Sequence, residues 1–242
     1  MRLDKTLSAR GLVRSRSQAQ ALIGRGVVEV NGVRVTKAST LVGDSDEIII
    51  EARQWVSRAA YKLLGALEDL RAAGFELPLA RTLDAGASTG GFSQVMLEEG
   101  APVIYAVDVG HGQLAQELRA DQRIKVREGL NLRDLQLSDL DSSPVDLIVG
   151  DVSFISLKLL LEPLSCVLKP GGKALLLVKP QFEVGRHNLG SGGVVRDEKL
   201  RLQAVEEVIE AAIRVKWRPL WQGQSKLPGP AGNIEHFVYF SS

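Results

Sequence analysis

The run Leu83-Asp84-Ala85-Gly86-Ala87-Ser88-Thr89-Gly90-Gly91-Phe92 constrains this chain more than any other. An apolar stretch ends in an acid, passes through a glycine-rich turn and enters a helical pattern. That is the order of a buried strand feeding a helix. Gly86, Gly90 and Gly91 permit positive φ and carry no Cβ, so backbone can lie close against a flat, polar ligand. A helix opening here also turns its unpaired N–H groups toward that ligand. The segment is either a cofactor loop of nucleotide type or a plain turn of an α/β domain.

Two cofactor classes compete for such a loop. The dinucleotide fingerprint requires G-x-G-x-x-G, with the second glycine admitting a pyrophosphate. Gly86 is instead followed by Ala87, Ser88 and Thr89, so the spacing fails. An acid just ahead of the first glycine suits S-adenosylmethionine, which carries an amino group and no phosphate. Asp108, closing the apolar run 103–107, is placed to accept hydrogen bonds from ribose hydroxyls, a device both classes use.

Strand and helix signals alternate after this point. Strand-like runs lie at 81–85, 103–108, 124–127, 145–150 and 173–179, and helical ones near 91–99, 112–119, 156–168 and 197–214. A helix over 58–73 capped by Ser57 precedes them, and Glu235 to Phe240 closes the chain as a strand. The alternation predicts an α/β fold, a mainly parallel, Rossmann-like sheet with helices on both faces.

Residues 1–50 follow a different pattern, two short helices and then strands. Val27 to Val30, Asn31-Gly32 and Val33 to Val35 form a hairpin signature. The formal net charge of +1 conceals an asymmetry: residues 1–37 hold eight basic side chains against Asp4 and Glu29, or +6, which leaves −5 on the other 205. Such a block fits a polyanion-binding module or a solvated helical face. The segment resembles the RNA-binding module first seen in small-subunit ribosomal protein four, in its Arg2 to Lys5, Ser15-Arg16 and Val28 to Gly32 stretches. That resemblance implies an α+β RNA-binding domain over 1–50 with contacts from Arg14, Arg16, Gln18 and Arg25. Residues 51–56 read as a linker and 57–242 as the second domain.

The lone cysteine, Cys166, has no internal partner and sits in an apolar pattern, where it reads as a small buried hydrophobe. No Cys/His cluster suggests a metal, and no apolar stretch approaches the roughly 20 residues of a membrane span. Without an apolar leader, the chain reads as cytoplasmic.

In open α/β sheets ligands gather beyond the carboxyl ends of the strands, where Asp84, Asp108, Asp151 and Lys179 all fall. A lysine ending five apolar residues is poorly placed for a solvated face, although a strand-end lysine can snorkel. The set suits methyl transfer to a hydroxyl. Lys179 would take the proton, Lys62 would supply a second positive charge, Asp151 would orient the ammonium groups, and Glu235 would hold Lys62 or the ribose.

Ser57 to Leu63, Asp84 to Phe92, Ala106 to Leu114, Asp151 to Ser156, Val178 to Glu183 and Asn233 to Glu235 together resemble the TlyA group. Its members are ribosomal RNA 2′-O-methyltransferases, long labelled haemolysin A, with an FtsJ-like catalytic domain. The resemblance places the group's K-D-K-E tetrad on Lys62, Asp151, Lys179 and Glu235. It implies that Asp84, Gly86, Ser88, Thr89, Gly90, Gly91 and Phe92 cradle the methionine half of S-adenosylmethionine. By the same resemblance Asp108 holds the ribose, Asn131 faces the adenine, and cytidine is the target. The start close to the first helix resembles the group's shorter subtype, which implies action on the large subunit. The glycine-rich stretch 184–195 reads as a mobile flap or a plain solvated loop. Two rival readings are a non-catalytic RNA-binding or ribosome-assembly factor and, from the old label alone, a membrane-active haemolysin.

Overall fold

The computed structural model describes residues 1–13, 15–24, 26–50 and 55–242 and divides into two compact units, Met1–Trp55 and Val56–Ser242. Arg14, Arg25 and most of the 51–56 linker therefore lie outside the described residues.

In the first unit, α1 (Leu3–Ala9) and α2 (Arg16–Gly24) precede β1 (Val28–Val30), β2 (Val33–Val35) and β3 (Ile48–Ile50). The strands form an antiparallel sheet in the order β2-β1-β3. Asn31 and Gly32 both take positive φ, 51° and 75°, the primed turn that Asn-Gly favours between twisted strands. Ser15 Oγ accepts from Gln18 N at 3.2 Å and so caps α2. Leu3, Leu7, Ala19, Leu22, Ile23 and Val28 form the core of this α+β unit.

The second unit holds a seven-stranded sheet. Its strands are β4 (Arg81–Ala85), β5 (Val103–Asp108), β6 (Ile124–Glu128), β7 (Val145–Gly150), β8 (Leu168–Val178), β9 (Arg218–Gln224) and β10 (His236–Ser241). Their order is β6-β5-β4-β7-β8-β10-β9, with the first five parallel and β10 antiparallel to both neighbours. Helices α3 (Ala59–Ala72), α4 (Gly91–Glu98), α5 (Gln116–Arg119), α6 (Leu161–Val167), α7 (Pro180–Glu183) and α8 (Glu198–Arg214) accompany it. Residues 174–178 of β8 and 237–241 of β10 are buried without a break, so both sheet faces are covered there. One face packs Leu83, Ile148, Leu176 and Val238 against Leu164 of α6 and Val208 of α8. On the other, Phe92 of α4 stacks on Phe237 at 6.1 Å.

This is the Rossmann-like α/β fold the alternation predicts, with two differences. β9 escaped the sequence pattern because Pro219 and Gly223 interrupt it; an edge strand tolerates both. Cys166 is exposed, not buried. Leu161, Leu164 and Val167 take the core side of α6 and leave position 166 on the solvent side.

The strand order reverses at β4, whose neighbours are β5 on one side and β7 on the other. The crevice at such a switch point is where an open α/β sheet binds its ligand.

Candidate active site

β4 ends in Asp84-Ala85, and the chain turns at Gly86, where φ is +85° and the N–H donates to Val107 O at 2.9 Å. A Cβ at Gly86 would lie 3.1 Å from Val152 Cγ1 and 3.2 Å from Val152 Cα, a tight fit against the loop after β7. Gly90 and Gly91 answer to packing instead. A Cβ on Gly90 would meet Leu118 Cδ1 at 2.3 Å, and one on Gly91 would meet Ser57 Cβ at 2.9 Å. Of the three glycines, Gly86 borders both cavities at the strand ends, Gly91 one of them and Gly90 neither.

Two cavities open beyond the strand ends. The larger, about 490 Å³, is lined by Gly86, Ser88, Asp108, Asn131, Asp151 and Phe154 among others. The smaller, about 210 Å³, is lined by Lys62, Gly86, Thr89, Phe92, Asp151 and Lys179 among others. Gly86, Ser88, Asp151 and Ser153 border both.

Asp108 accepts from Ser88 N at 2.8 Å and from Gly110 N at 2.7 Å, which fixes its carboxylate at the wall of the larger cavity. Asn131 caps the turn Leu132–Asp134 through Arg133 N at 3.0 Å and lines the same cavity. Asp84 is fully buried and lines neither cavity. Its Oδ2 accepts from Ser93 Oγ at 2.6 Å, and its Oδ1 has no partner. Burial pushes the Asp84 carboxyl up to about 7, Ser93 opposes the shift, and the nearby Asp151 and Asp108 charges add to it.

The four residues of the expected tetrad form two ion pairs. Lys62 Nζ lies 2.6 Å from Glu235 Oε2, with both side chains nearly excluded from solvent. Lys179 Nζ lies 2.6 Å from Asp151 Oδ1 and donates to Ser153 Oγ at 2.6 Å. Both lysines and Asp151 line the smaller cavity beside the glycine turn. Glu235 stands behind Lys62, 1% exposed, and also accepts from Gln181 Nε2 at 3.3 Å. The loop before β10 wraps this carboxylate closely: a Cβ on Gly229 would sit 2.6 Å from Glu235 Oε1.

Ser153, Gln181 and Gly229 carried no role in the sequence reading. Each had a signal, as Ser153 follows a strand-end acid by two, Gln181 follows a strand-end lysine by two, and Gly229 stands between two prolines. In sequence the 184–195 stretch is open between a mobile flap and a plain solvated loop. It contains the tight turns Arg186–Asn188 and Ser191–Gly193. Buried Asn233 pins its end, accepting from Val195 N at 2.9 Å and donating to Gly193 O at 3.0 Å. None of its described side chains lines either cavity.

In the first unit, the Asp4 carboxylate is fully buried and gathers Arg2 Nε at 3.0 Å, Arg16 Nε at 2.8 Å and Gln20 Nε2 at 2.9 Å. These bonds, Arg2's first, hold it well below the usual carboxylate range. Arg16 is thus anchored through Nε while half its side chain stays exposed. Gln18 Nε2 donates to Trp55 O at 3.2 Å. Among the described residues, no helix is long and apolar enough to cross a membrane and no His/Cys/Asp/Glu group could hold a metal ion.

Both units have counterparts among known proteins. Residues 55–242 match the FtsJ-like methyltransferase family and residues 1–48 match the S4 domain. The chain is 45% identical over 98% of its length to the 16S/23S rRNA (cytidine-2′-O)-methyltransferase TlyA of Mycobacterium tuberculosis, covering 88% of that protein. It is 36% identical to hemolysin A of Brachyspira hyodysenteriae, with 99% of each chain covered. A solved structure described as a hemolysin of Streptococcus thermophilus superposes with a TM-score of 0.74 at 35% identity, covering 100% of this chain and 88% of that one.

Proposed function

Because the chain belongs to the FtsJ-like methyltransferase family, within the TlyA group, we propose that it methylates a ribose 2′-hydroxyl of cytidine in ribosomal RNA, using S-adenosylmethionine. The observation that carries this reading is the placement of Lys62, Asp151 and Lys179 around one cavity beside the glycine turn.

The residues present fit that cofactor. Its ammonium and ribose hydroxyls are hydrogen-bond donors, and the larger cavity offers the carboxylates of Asp108 and Asp151. Asp84 lies behind the turn, outside both cavities, with its Oδ1 buried and unpartnered. The same carboxylates would repel a pyrophosphate. Asp108 would take the ribose, Gly86 and Ser88 to Gly91 the methionine half, and Asn131 the adenine edge. When bound, S-adenosylmethionine supplies a methyl group on a sulfonium that leaves as a neutral thioether.

The chain's own residues do the rest. Lys179, when unprotonated, accepts the 2′-hydroxyl proton as the oxygen attacks. Asp151 and Ser153 hold its Nζ at the cavity wall, which turns an encounter into an aligned displacement. Lys62 presents the second positive charge, and Glu235 keeps it in place. The S4 unit would bring the RNA, through phosphate contacts that fix register without reading sequence. We place the activity in the cytoplasm, with the ribosome.

The test is methyl transfer from labelled S-adenosylmethionine to ribosomal subunits, followed by mapping of 2′-O-methyl positions on each subunit's RNA. Lys179→Ala should lower the rate by about 10²- to 10⁴-fold, the range for a lost proton acceptor, without changing RNA affinity. Undiminished methylation by that variant would remove Lys179 from the role. RNA binding by a wild-type protein that transfers no methyl group would favour a non-catalytic factor.

A further inference from the structure

Glu183 ends α7 with its carboxylate buried, 8% exposed, and no role in the chemistry above uses it. A buried carboxylate is costly unless fixed partners satisfy it. Here Oε2 accepts from Ser156 Oγ at 2.5 Å and Oε1 accepts from Leu157 N at 2.8 Å. Lys158, whose charge reaches Glu183, is engaged elsewhere, with Glu207 at 2.7 Å. Burial raises the Glu183 carboxyl above its ordinary value, the two hydrogen bonds and Lys158 oppose the shift, and Glu207 adds to it.

Both partners of Glu183 end the segment that begins at Asp151. That segment meets α7 step by step: Lys179 with Asp151 and Ser153, Phe182 with Phe154 at 5.3 Å between ring centres, Glu183 with Ser156 and Leu157. Phe154, in the middle, holds φ at +64° while 91% exposed. A non-glycine residue in that region costs about 1–3 kcal/mol and persists only where its surroundings enforce it. Phe182 gives Phe154 a single ring contact, so the ends of the segment must supply most of that enforcement.

We propose that Glu183 is a positioning residue, a latch that closes the 151–157 segment onto α7 and so sets the alignment of Lys179, Asp151 and Ser153. The proposal rests on the functional reading above and deepens it: Glu183 touches neither cofactor nor RNA and acts through the segment. Geometry, not charge, is its contribution. A glutamine can still accept from Leu157 N through Oε1 and donate to Ser156 Oγ through Nε2.

Glu183→Ala, Glu183→Gln and Ser156→Ala in the full-length protein test this. Two readouts are needed: hydrogen exchange of the 152–157 amides, and single-turnover methyl transfer at saturating RNA and cofactor, per folded site. In Glu183→Ala, Leu157 should lose protection while the central strands keep theirs. The single-turnover rate should fall by about 10- to 100-fold, the scale of an ångström-sized misplacement, with a smaller change in the KM for RNA. Glu183→Gln should restore both within about threefold of wild type, and Ser156→Ala should fall between. A Glu183→Ala rate within twofold of wild type per folded site, or unchanged Leu157 exchange, overturns the latch. Should Glu183→Ala fail to fold, an unaltered rate and unaltered exchange in Ser156→Ala overturn it equally. Failure of the functional reading has a separate signature, no transfer by wild type, and the exchange data then decide alone whether Glu183 holds the segment.

Discussion

Asp84 carries the clearest titration consequence of any single residue. Its carboxyl is raised to about 7 by burial, above its ordinary value near 4, so the folded state binds a proton that the unfolded chain has released between those two pH values. Stability from this group is therefore full below pH about 4 and is lost as the pH climbs through about 7. The component amounts to a few kcal/mol, on the order of 4 at most. Melting temperatures of the cofactor-free protein from pH 4.5 to 8 should fall with this slope. Asp84→Asn, which keeps an acceptor for Ser93, should flatten it, and parallel slopes in both proteins would refute the assignment. Lys62 and Glu235 make a second residue-scale case. Removing one partner of a buried ion pair leaves an uncompensated charge, so Lys62→Met should destabilise by about 3–5 kcal/mol. Adding Glu235→Gln should recover much of that in urea unfolding, while activity stays lost in both.

At the scale of elements, glycines of similar φ have unequal reasons to exist. Gly32 turns the first hairpin at +75° with open space around it, whereas Gly90 at +95° enters α4 against Leu114 and Leu118. Gly32→Ala should cost about 1–2 kcal/mol, the backbone penalty alone. Gly90→Ala adds overpacking and should cost about 2–4 kcal/mol, with the difference read from urea midpoints. Much of this layer was legible. The first hairpin, the five parallel strands and the strand-end acids followed from local pattern, because buried parallel strands are near-continuous apolar runs. β9 did not, because an edge strand need not satisfy that pattern. Nor could the sequence show that Asn233 pins the 184–195 stretch, or that Glu183 meets Ser156. Those contacts join residues 27 to 40 positions apart, and no periodicity encodes them. Lys62 and Glu235, 173 positions apart, were linked ahead of the structure by the chemistry asked of them, with the ribose left open as the other partner of Glu235.

The whole molecule separates two tasks between two cores. Each unit encloses its own apolar cluster, and the basic excess lies within the first 37 residues. Residues 56–242 alone should stay folded and bind S-adenosylmethionine as the full chain does. RNA affinity of the full chain should drop steeply with salt as phosphate contacts release counterions, and the truncated form should show a weaker, flatter dependence. Filter binding at two salt concentrations checks this; equal slopes would mean that the basic block is not the anchor. Within the larger unit, Gly86, Ser88, Asp151 and Ser153 belong to both cavities, so guests in the two chambers would be close neighbours. Two feeble fragments, one per chamber, would gain from being joined covalently, since the second association becomes intramolecular, at roughly millimolar effective concentration for a short tether. Were those guests donor and acceptor, the shared wall would hand a chemist the template for a bisubstrate inhibitor.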